Sequence, residues 1–228
     1  MKLTYWGHSS FLVETASHRI VIDPFLSGNE QAVVSPAEVE CDCVIVTHGH
    51  PDHVGDSVEI AKRTGATVVA NFELASFLEA QGATVHPMHI GGAHAFPFGR
   101  VKLTIAHHGS GHPDESGRIQ YTGNPAGVLL TADNKTFYHA GDTGLFLDMQ
   151  LIGELDRIDV AALPIGDNFT MGPADAARAV EFLKPGMALP MHYGTWEIIA
   201  VDPQDFAQRV EAAGFKAAVP AIGESVEV

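Results

Sequence analysis

Two kinds of apolar pattern alternate along this chain. Short apolar runs rich in β-branched residues predict strands, and longer segments with apolar residues three or four positions apart predict helices. Strands are expected at residues 2–6, 10–15, 18–23, 43–47, 67–70, 84–86, 101–107, 119–122, 127–132, 135–139, 159–163 and 187–190, with one or two more near the end of the chain. Helices are expected at residues 54–63, 71–80, 145–155, 173–183 and 203–213. Loops are expected at residues 24–40 and 109–117.

Strand clusters alternate with helices in both halves of the chain, which predicts two sheets with helices on their outer faces. The sequence shows no repeat, low-complexity segment or linker that would divide it. Its 228 residues are enough for one large domain, and 46% of them are hydrophobic, enough for a substantial core. We therefore expect an α/β fold that forms a single domain over residues 1–228.

The chain is strongly acidic, with 13 basic residues, 28 acidic residues and a formal charge of −15. Such a surface repels polyanions and anionic lipid, so neither nucleic acid nor a membrane is an expected partner. No apolar run approaches the length of a membrane span, and residues 1–8 lack the apolar core of a signal peptide.

The only cysteines, Cys41 and Cys43, flank a single residue at the start of an expected strand. Strand alternation predicts that they share one face, too close together for an ordinary disulfide. A chain with few cysteines and no bridge suits a reducing compartment, so a cytoplasmic location is expected.

Three histidines and one carboxylate fall within six residues after the strand expected at 43–47. They are His48, His50, Asp52 and His53, in the pattern H-x-H-x-D-H. Imidazole nitrogens and carboxylate oxygens are ligands that zinc, iron and manganese accept. Four such groups are too crowded for one tetrahedral ion. We therefore expect His48 and His50 to serve one metal, and Asp52 and His53 a second.

Three later strand ends supply further candidate ligands. In chain order they carry His107 and His108, then His139 and Asp142, then His192. If one sheet edge gathers these strand ends, their side chains meet the first cluster there. A carboxylate such as Asp142 can bridge two cations through its two oxygens, which an imidazole cannot do.

Only one of the adjacent histidines His107 and His108 is expected to reach the metals, because neighbouring strand residues point to opposite faces. Val101, Leu103 and Ile105 share a face, and continuing that alternation places His107 with the core. His108 is then the ligand, and His107 is either a packed neighbour or a residue that contacts the ligands from behind. This alternation applies only if the strand continues as far as His107.

Taken in order, these motifs resemble the metallo-β-lactamase superfamily. The resemblance rests on H-x-H-x-D-H, a histidine before Gly109-Ser110, the G-D-T at residues 141–143 and a late strand-end histidine, and it covers essentially the whole chain. Four further stretches resemble one branch, the small bacterial metal-dependent hydrolases of the UPF0173 type, which are related to the ascorbate-phosphate lactonase type. These stretches are residues 7–9, 22–26, 89–92 and 163–173.

The resemblance implies an αββα sandwich, with two mixed sheets, helices on the outer faces and a dinuclear metal site at one sheet edge. Carried over by position, His48, His50 and His108 would hold the first metal, Asp52, His53 and His192 the second, and Asp142 would bridge them. The implied cofactors are two divalent transition-metal ions, zinc first, with manganese, iron or nickel as alternatives.

Other residues are implied to lie beside the site. Asp23 suits a carboxylate that accepts the free ring N–H of a ligand histidine and so fixes its tautomer. His8 either belongs to the same surroundings or is a satisfied structural histidine, and His139 matches a position that is not a required ligand. The cavity is expected to be lined by the loop 109–120, Asp167, Asn168 and the segment from Tyr193 to Trp196.

The implied reaction is hydrolysis. Two cations about 3.5–4 Å apart share one water and lower its pKa toward neutrality, and the hydroxide is the nucleophile. Asp52 would orient that nucleophile as well as bind metal. No G-x-S-x-G elbow or P-loop offers a competing chemistry. A small ester or lactone is the first expected substrate.

Several alternatives stay open. A phosphodiesterase or nuclease would need cationic groups, and Arg118 is the nearest candidate to the motifs. Di-iron redox relatives of the same fold typically carry a flavin domain and an acidic residue in place of one early histidine, and both features are missing here. A non-catalytic sensor would be favoured by a missing ligand, yet the ligand set looks complete. A homo-oligomer also stays open.

Overall fold

The computed structural model describes residues 1–228 as fifteen strands, six α-helices and two short 3-10 helices. The strands are β1 (Lys2–Gly7), β2 (Ser10–Glu14), β3 (Arg19–Ile22), β4 (Cys43–Ile45), β5 (Thr67–Asn71), β6 (Val85–Met88), β7 (Ala93–Phe96), β8 (Gly99–Ile105), β9 (Gly111–Pro113), β10 (Ile119–Tyr121), β11 (Ala126–Ala132), β12 (Lys135–His139), β13 (Val160–Pro164), β14 (Met187–Met191) and β15 (Ser225–Glu227). The α-helices are α1 (Pro51–Val54), α2 (Ser57–Thr64), α3 (Phe72–Glu79), α4 (Met149–Leu155), α5 (Pro173–Leu183) and α6 (Pro203–Ala212). The 3-10 helices cover Pro36–Glu38 and Glu197–Ile199.

Two mixed sheets form the centre of the molecule. The first has seven strands in the order β15-β1-β2-β3-β4-β5-β6, and the second has six in the order β14-β13-β12-β11-β8-β7. Strands β3 to β6 are parallel in the first sheet, as are β12 to β14 in the second. Because the carboxyl ends of parallel strands meet at one edge, the loops after β3, β4, β12 and β14 are placed where ligands bind in open α/β sheets.

Two apolar clusters hold the layers together. One, of 40 buried residues, contains inward side chains of both sheets, such as Ile45 and Phe137, and also residues of α4, α5 and α6. The other, of 18 buried residues, joins the opposite face of the first sheet, including Val44, to α2 and α3. Each fully buried side chain of this size contributes about 1.5–3 kcal/mol. The layers therefore run helix, sheet, sheet, helix, which confirms the expected αββα sandwich.

Several local predictions are wrong. The helix expected at 54–63 is broken at Gly55, where φ is 42° and an added Cβ would lie 2.3 Å from the carbonyl oxygen of Pro24. The expected loop 109–117 contains β9, which pairs with β10 as a separate hairpin. The helix expected at 145–155 begins only at Met149. Strand β7 lies within residues 84–107, which the sequence indicates are β as a whole, but its separate position is not predicted, because the strand is short and largely exposed.

The prediction that the two cysteines share a face is also wrong. β4 begins at Cys43, so strand alternation does not reach back to Cys41. Cys43 packs between the two sheets, whereas Cys41 packs in the cluster between the first sheet and helices α2 and α3. Both thiols are buried and unbridged, and burial raises the pKa of each. The longest helix, α5, has 11 residues, and no helix has the length and apolar composition that crossing a membrane would require.

Candidate metal centre

The H-x-H-x-D-H motif occupies the turn from β4 into α1. Thr47 and His48 continue from the end of β4, and Pro51 opens α1, where its fixed φ and missing N–H suit the first helical position. Asp52 and His53 then lie within the first turn of the helix. The short helix thus directs these two side chains back toward the strand end that carries His48.

Gly49 allows the motif to pack tightly against the neighbouring loop. An added Cβ at this position would lie 1.9 Å from the Thr122 hydroxyl oxygen, so no larger residue fits without displacement. The Gly49 N–H donates to Ser110 Oγ at 3.1 Å, and Nδ1–H of His112 donates to the Gly49 carbonyl at 3.0 Å. These contacts hold the segment after β8 beside the motif.

Three histidines form one group of converging ring nitrogens, which we call the first triad: His48, His50 and His108. Their ligand atoms all lie within 4.8 Å of one another. His48 Nε2 and His50 Nδ1 are 2.9 Å apart. Two lone pairs at this distance repel each other unless a proton or a cation lies between them.

Three further groups form what we call the second triad: Asp52, His53 and His192. Asp52 Oδ2 lies 3.7 Å from His53 Nε2 and 3.7 Å from His192 Nε2. His8 joins this group, with its Nε2 3.0 Å from Asp52 Oδ2.

Asp142, which follows β12, lies between the two triads. Its Oδ2 is 2.9 Å from His192 Nε2, 3.3 Å from His53 Nε2 and 3.5 Å from His108 Nε2. One carboxylate oxygen is therefore in reach of donors from both triads, which is the arrangement that a bridging ligand requires.

Asp23, which follows β3, forms hydrogen bonds that orient the candidate ligands His53 and His48. Its Oδ2 lies 2.7 Å from His53 Nδ1 and also accepts the Thr47 hydroxyl at 2.7 Å. The Thr47 oxygen is in turn 3.0 Å from His48 Nδ1. Because the carboxylate only accepts, Nδ1 carries the hydrogen in both rings. The Nε2 lone pairs of His48 and His53 are thereby directed into the centre.

The donor set fits divalent transition-metal ions. His53 Nε2 and Asp142 Oδ1 are buried and have no hydrogen-bond partner in the protein. Leaving such an atom unsatisfied costs about 1–3 kcal/mol, and a cation would satisfy both. Imidazole nitrogens with carboxylate oxygens suit borderline metals such as zinc, iron and manganese.

The histidines of the first triad are held in the neutral form that binds metal. Burial lowers the pKa of His48, His50 and His108, and neighbouring imidazoles lower it further. Neutral rings leave a lone pair free at neutral pH.

In the second triad, by contrast, the surroundings raise the pKa of both histidines. Burial lowers the pKa of His192, but the charge of Asp142 and hydrogen bonds to Asp142 and Asp52 together raise it to about 9. Burial also opposes the charge on His53, yet Asp142, Asp23 and Asp52 raise its pKa well above the ordinary value. Protons here occupy positions that bound cations would take.

Several predicted neighbours lie elsewhere. His139 is fully buried, donates from Nε2 to the Ser9 carbonyl at 2.8 Å and accepts the Gly141 N–H at 3.2 Å, so its ring nitrogens are satisfied structurally. His107 is exposed rather than part of the core, and it stacks on Phe146 with ring centroids 4.6 Å apart. β8 ends at Ile105, so the alternation that placed His107 inward does not apply.

A cavity of about 270 Å³ opens above the triads. Its lining residues are His50, Asp52, His108, Asp142, His192, Phe169 and Trp196. Asp167, Asn168 and Tyr193 do not line it, in contrast to the prediction. The missed residue is Phe169, and its only signal in the sequence is an aromatic side chain in a polar loop after β13. The segment 109–120 lines a separate cavity of about 490 Å³ that shares His50.

Comparison with known proteins gives consistent results. A family model described as a β-lactamase superfamily domain matches residues 2–192. The chain is 53% identical over 228 residues to a UPF0173 metal-dependent hydrolase of Anoxybacillus flavithermus, covering 100% of both chains. It is 53% identical over 229 residues to the UPF0173 metal-dependent hydrolase YtkL of Bacillus subtilis, again covering 100% of both. Among solved structures, it matches Igni18, a metallo hydrolase from the archaeon Ignicoccus hospitalis, with a TM-score of 0.90, 40% identity and coverage of 99% and 97%.

Proposed function

This chain belongs to the β-lactamase superfamily and to its UPF0173 metal-dependent hydrolases, and from that premise we propose that it hydrolyses a small, uncharged ester or lactone at a dinuclear centre. The first triad would hold one cation and the second triad the other, with Asp142 between them. Zinc is the first candidate metal.

The strongest support is the position of Asp142. A carboxylate that served only one cation would need to approach donors from one triad. Oδ2 of Asp142 instead lies within 3.5 Å of ring nitrogens from both. The same residue is almost fully buried, so its charge must be compensated locally rather than by solvent.

Bound cations would supply Lewis acidity, polarising a substrate carbonyl and making water acidic enough to react near neutral pH. The protein's own groups position the reactants. Asp52 lines the cavity and keeps 21% of its side chain exposed, so it can accept a hydrogen bond from an incoming water and orient it. Asp23 fixes a ring hydrogen on Nδ1 of His53 directly and on Nδ1 of His48 through Thr47, so that Nε2 of both rings is directed inward.

The cavity walls favour an uncharged substrate. Phe169 and Trp196 are 51% and 40% exposed, and they flank the ligands with apolar surface. No lysine or arginine lines this cavity or the neighbouring one. Arg118 is exposed near the β9–β10 hairpin and lines neither cavity. A phosphate dianion would therefore have no cationic side chain to pair with.

The test is a substrate panel with the zinc-loaded protein: 4-nitrophenyl acetate and butyrate, a γ- and a δ-lactone, and bis(4-nitrophenyl) phosphate. The esters or lactones should be hydrolysed, chelator should abolish the rate, and the phosphodiester should react at least tenfold more slowly. A phosphodiester turned over faster than every ester and lactone would overturn the proposed substrate class.

A further inference from the structure

His8 occupies a turn whose backbone is fixed by a ligand residue. It lies between β1 and β2, is fully buried and has a φ of 53°, in the left-handed region that non-glycine residues rarely adopt. Its carbonyl oxygen accepts the backbone N–H of His192 at 2.6 Å and the Tyr5 hydroxyl at 3.0 Å. The same turn therefore positions the His8 ring and the backbone of His192.

Both ring nitrogens of His8 have partners. Nε2 is 3.0 Å from Asp52 Oδ2, and Nδ1 is 2.8 Å from Thr195 Oγ1. An ionised carboxylate only accepts, so Nε2 carries the hydrogen and donates to Asp52. Nδ1 is then the acceptor for the Thr195 hydroxyl. The nitrogen that faces the second triad is thus already used as a donor.

The hydrogen bond to Asp52 leaves the carboxylate able to bind metal. A carboxylate oxygen has two lone pairs. One takes the His8 hydrogen, which leaves the other for a cation, and Nε2 of His53 and of His192 each lie 3.7 Å from this oxygen. Without this donor, the side chain of Asp52, on the one-turn helix α1, could rotate toward the cavity and solvent.

We propose that His8 is a positioning residue for the second cation: it holds Asp52 Oδ2 in its ligating orientation and links that ligand, through Thr195, to the cavity wall at Trp196. The His8 ring supports this link by packing edge-on against Trp196, with centroids 5.0 Å apart. The inference rests on the proposed dinuclear centre. It assigns a role to a histidine that coordinates neither cation.

The test counts and titrates metal ions rather than measuring turnover alone. Apo protein is titrated with zinc, bound metal is counted by elemental analysis, and thermal unfolding is followed in parallel. Wild type should bind two ions. His8→Ala should keep the first ion and bind the second about 10–100-fold more weakly, the loss typical of removing a residue that orients a ligand.

Two companion variants separate positioning from other roles. In His8→Gln, the side-chain amide keeps an N–H donor at a similar reach, so the second affinity should return to within a few-fold of wild type. Thr195→Val removes only the hydroxyl at a partly exposed site, and should weaken the second ion less than His8→Ala does. It also provides a readout if His8→Ala does not fold.

Three results would overturn the inference. A folded His8→Ala that binds two ions with wild-type affinity would make His8 purely structural. A His8→Gln that loses the second ion as fully as His8→Ala would make His8 a ligand. If His8→Ala does not fold, unchanged second-ion binding in Thr195→Val would also overturn it. A wild-type count of one ion would instead remove the proposed dinuclear centre itself.

Discussion

Oδ2 of Asp23 lies 2.7 Å from Nδ1 of His53, with both side chains fully buried. The same oxygen accepts the hydroxyl of Thr47, which contacts the ring of His48. One carboxylate that touches no cation therefore sets the tautomers of ligands in both triads. Removing this carboxylate should therefore weaken cation binding at both metal positions.

Asp23→Asn should weaken binding of both cations by about 10–100-fold, the usual effect of losing a partner that orients a ligand. Oδ1 of Asp23 also accepts the Thr47 backbone N–H at 2.8 Å, and an asparagine cannot accept at both ends because one of them is a donor. Zinc titration of the apo protein measures the change. Asp159→Asn, which alters a carboxylate that accepts the Thr136 N–H, is the matched control and should bind metal normally. Wild-type zinc affinity in a folded Asp23→Asn protein would refute the assigned role.

Asp142→Ala should lose metal and activity together. Removing the shared oxygen would take one ligand from each cation, and it leaves Nε2 of His53 and of His192 without the carboxylate oxygen nearest to it. Stability should also fall, by about 1–3 kcal/mol, because buried polar groups lose their partner. Metal analysis, turnover and thermal unfolding are measured together, with the exposed Asp148→Ala as control. Full metal content in a folded Asp142→Ala protein would disprove the bridge.

As the pH rises, the apo protein should lose stability, whereas the stabilisation gained by adding zinc should increase. Burial opposes the charge on His192, but Asp142 and Asp52 together raise its folded pKa from 6.5 to about 9. A raised histidine pKa stabilises the apo protein fully below pH 6.5, and that contribution is lost as the pH rises through 9. Zinc must displace the same proton, so the stabilisation by zinc should grow over this range.

Thermal unfolding with chelator and with excess zinc, at several pH values across that window, tests this prediction. The apo midpoint should fall and the zinc-induced gain should rise. A zinc-induced gain that shrinks as the pH rises would contradict the assignment of His192 as a ligand. His139→Gln, altered at a histidine outside the triads, should keep the same trend.

His107 and His108 should behave differently when each is changed to alanine. His108 belongs to the first triad, so His108→Ala should lose the first cation. His107 is exposed and stacks on Phe146, so His107→Ala should keep both cations and lose only some stability. Metal content and thermal midpoints of the two variants check this. Retained first-site metal in His108→Ala and lost metal in His107→Ala would reverse the assignment.

Short-range patterns predicted most of the fold and the residues that the site brings together. His48, His50, Asp52 and His53 are close in sequence and follow a buried strand, so their clustering needed no long-range information. Asp142 and His192 could be placed because parallel strands bring their carboxyl ends to one edge. The fold class followed from the alternation of strand clusters and helices.

The predictions that failed depended on the exact ends of strands and helices or on the conformations of loops. The alternation argument for His107 failed because β8 ends at Ile105. The prediction that Cys41 and Cys43 share a face failed because β4 begins only at Cys43, two residues after Cys41. Phe169 could not be recognised as a cavity wall, since its position is set by a loop with no periodic pattern. The close approach of Gly55 to the Pro24 carbonyl, which leaves no room for a Cβ, is a tertiary feature that the helical periodicity of residues 54–63 does not reveal.

Metal stoichiometry tests the central claim most directly. The protein should be purified without chelator, loaded with excess zinc, freed of unbound metal and analysed for metal per chain. Two triads joined by Asp142 predict about two transition-metal ions per chain. A maximum near one ion per chain, even after loading, would contradict the dinuclear centre.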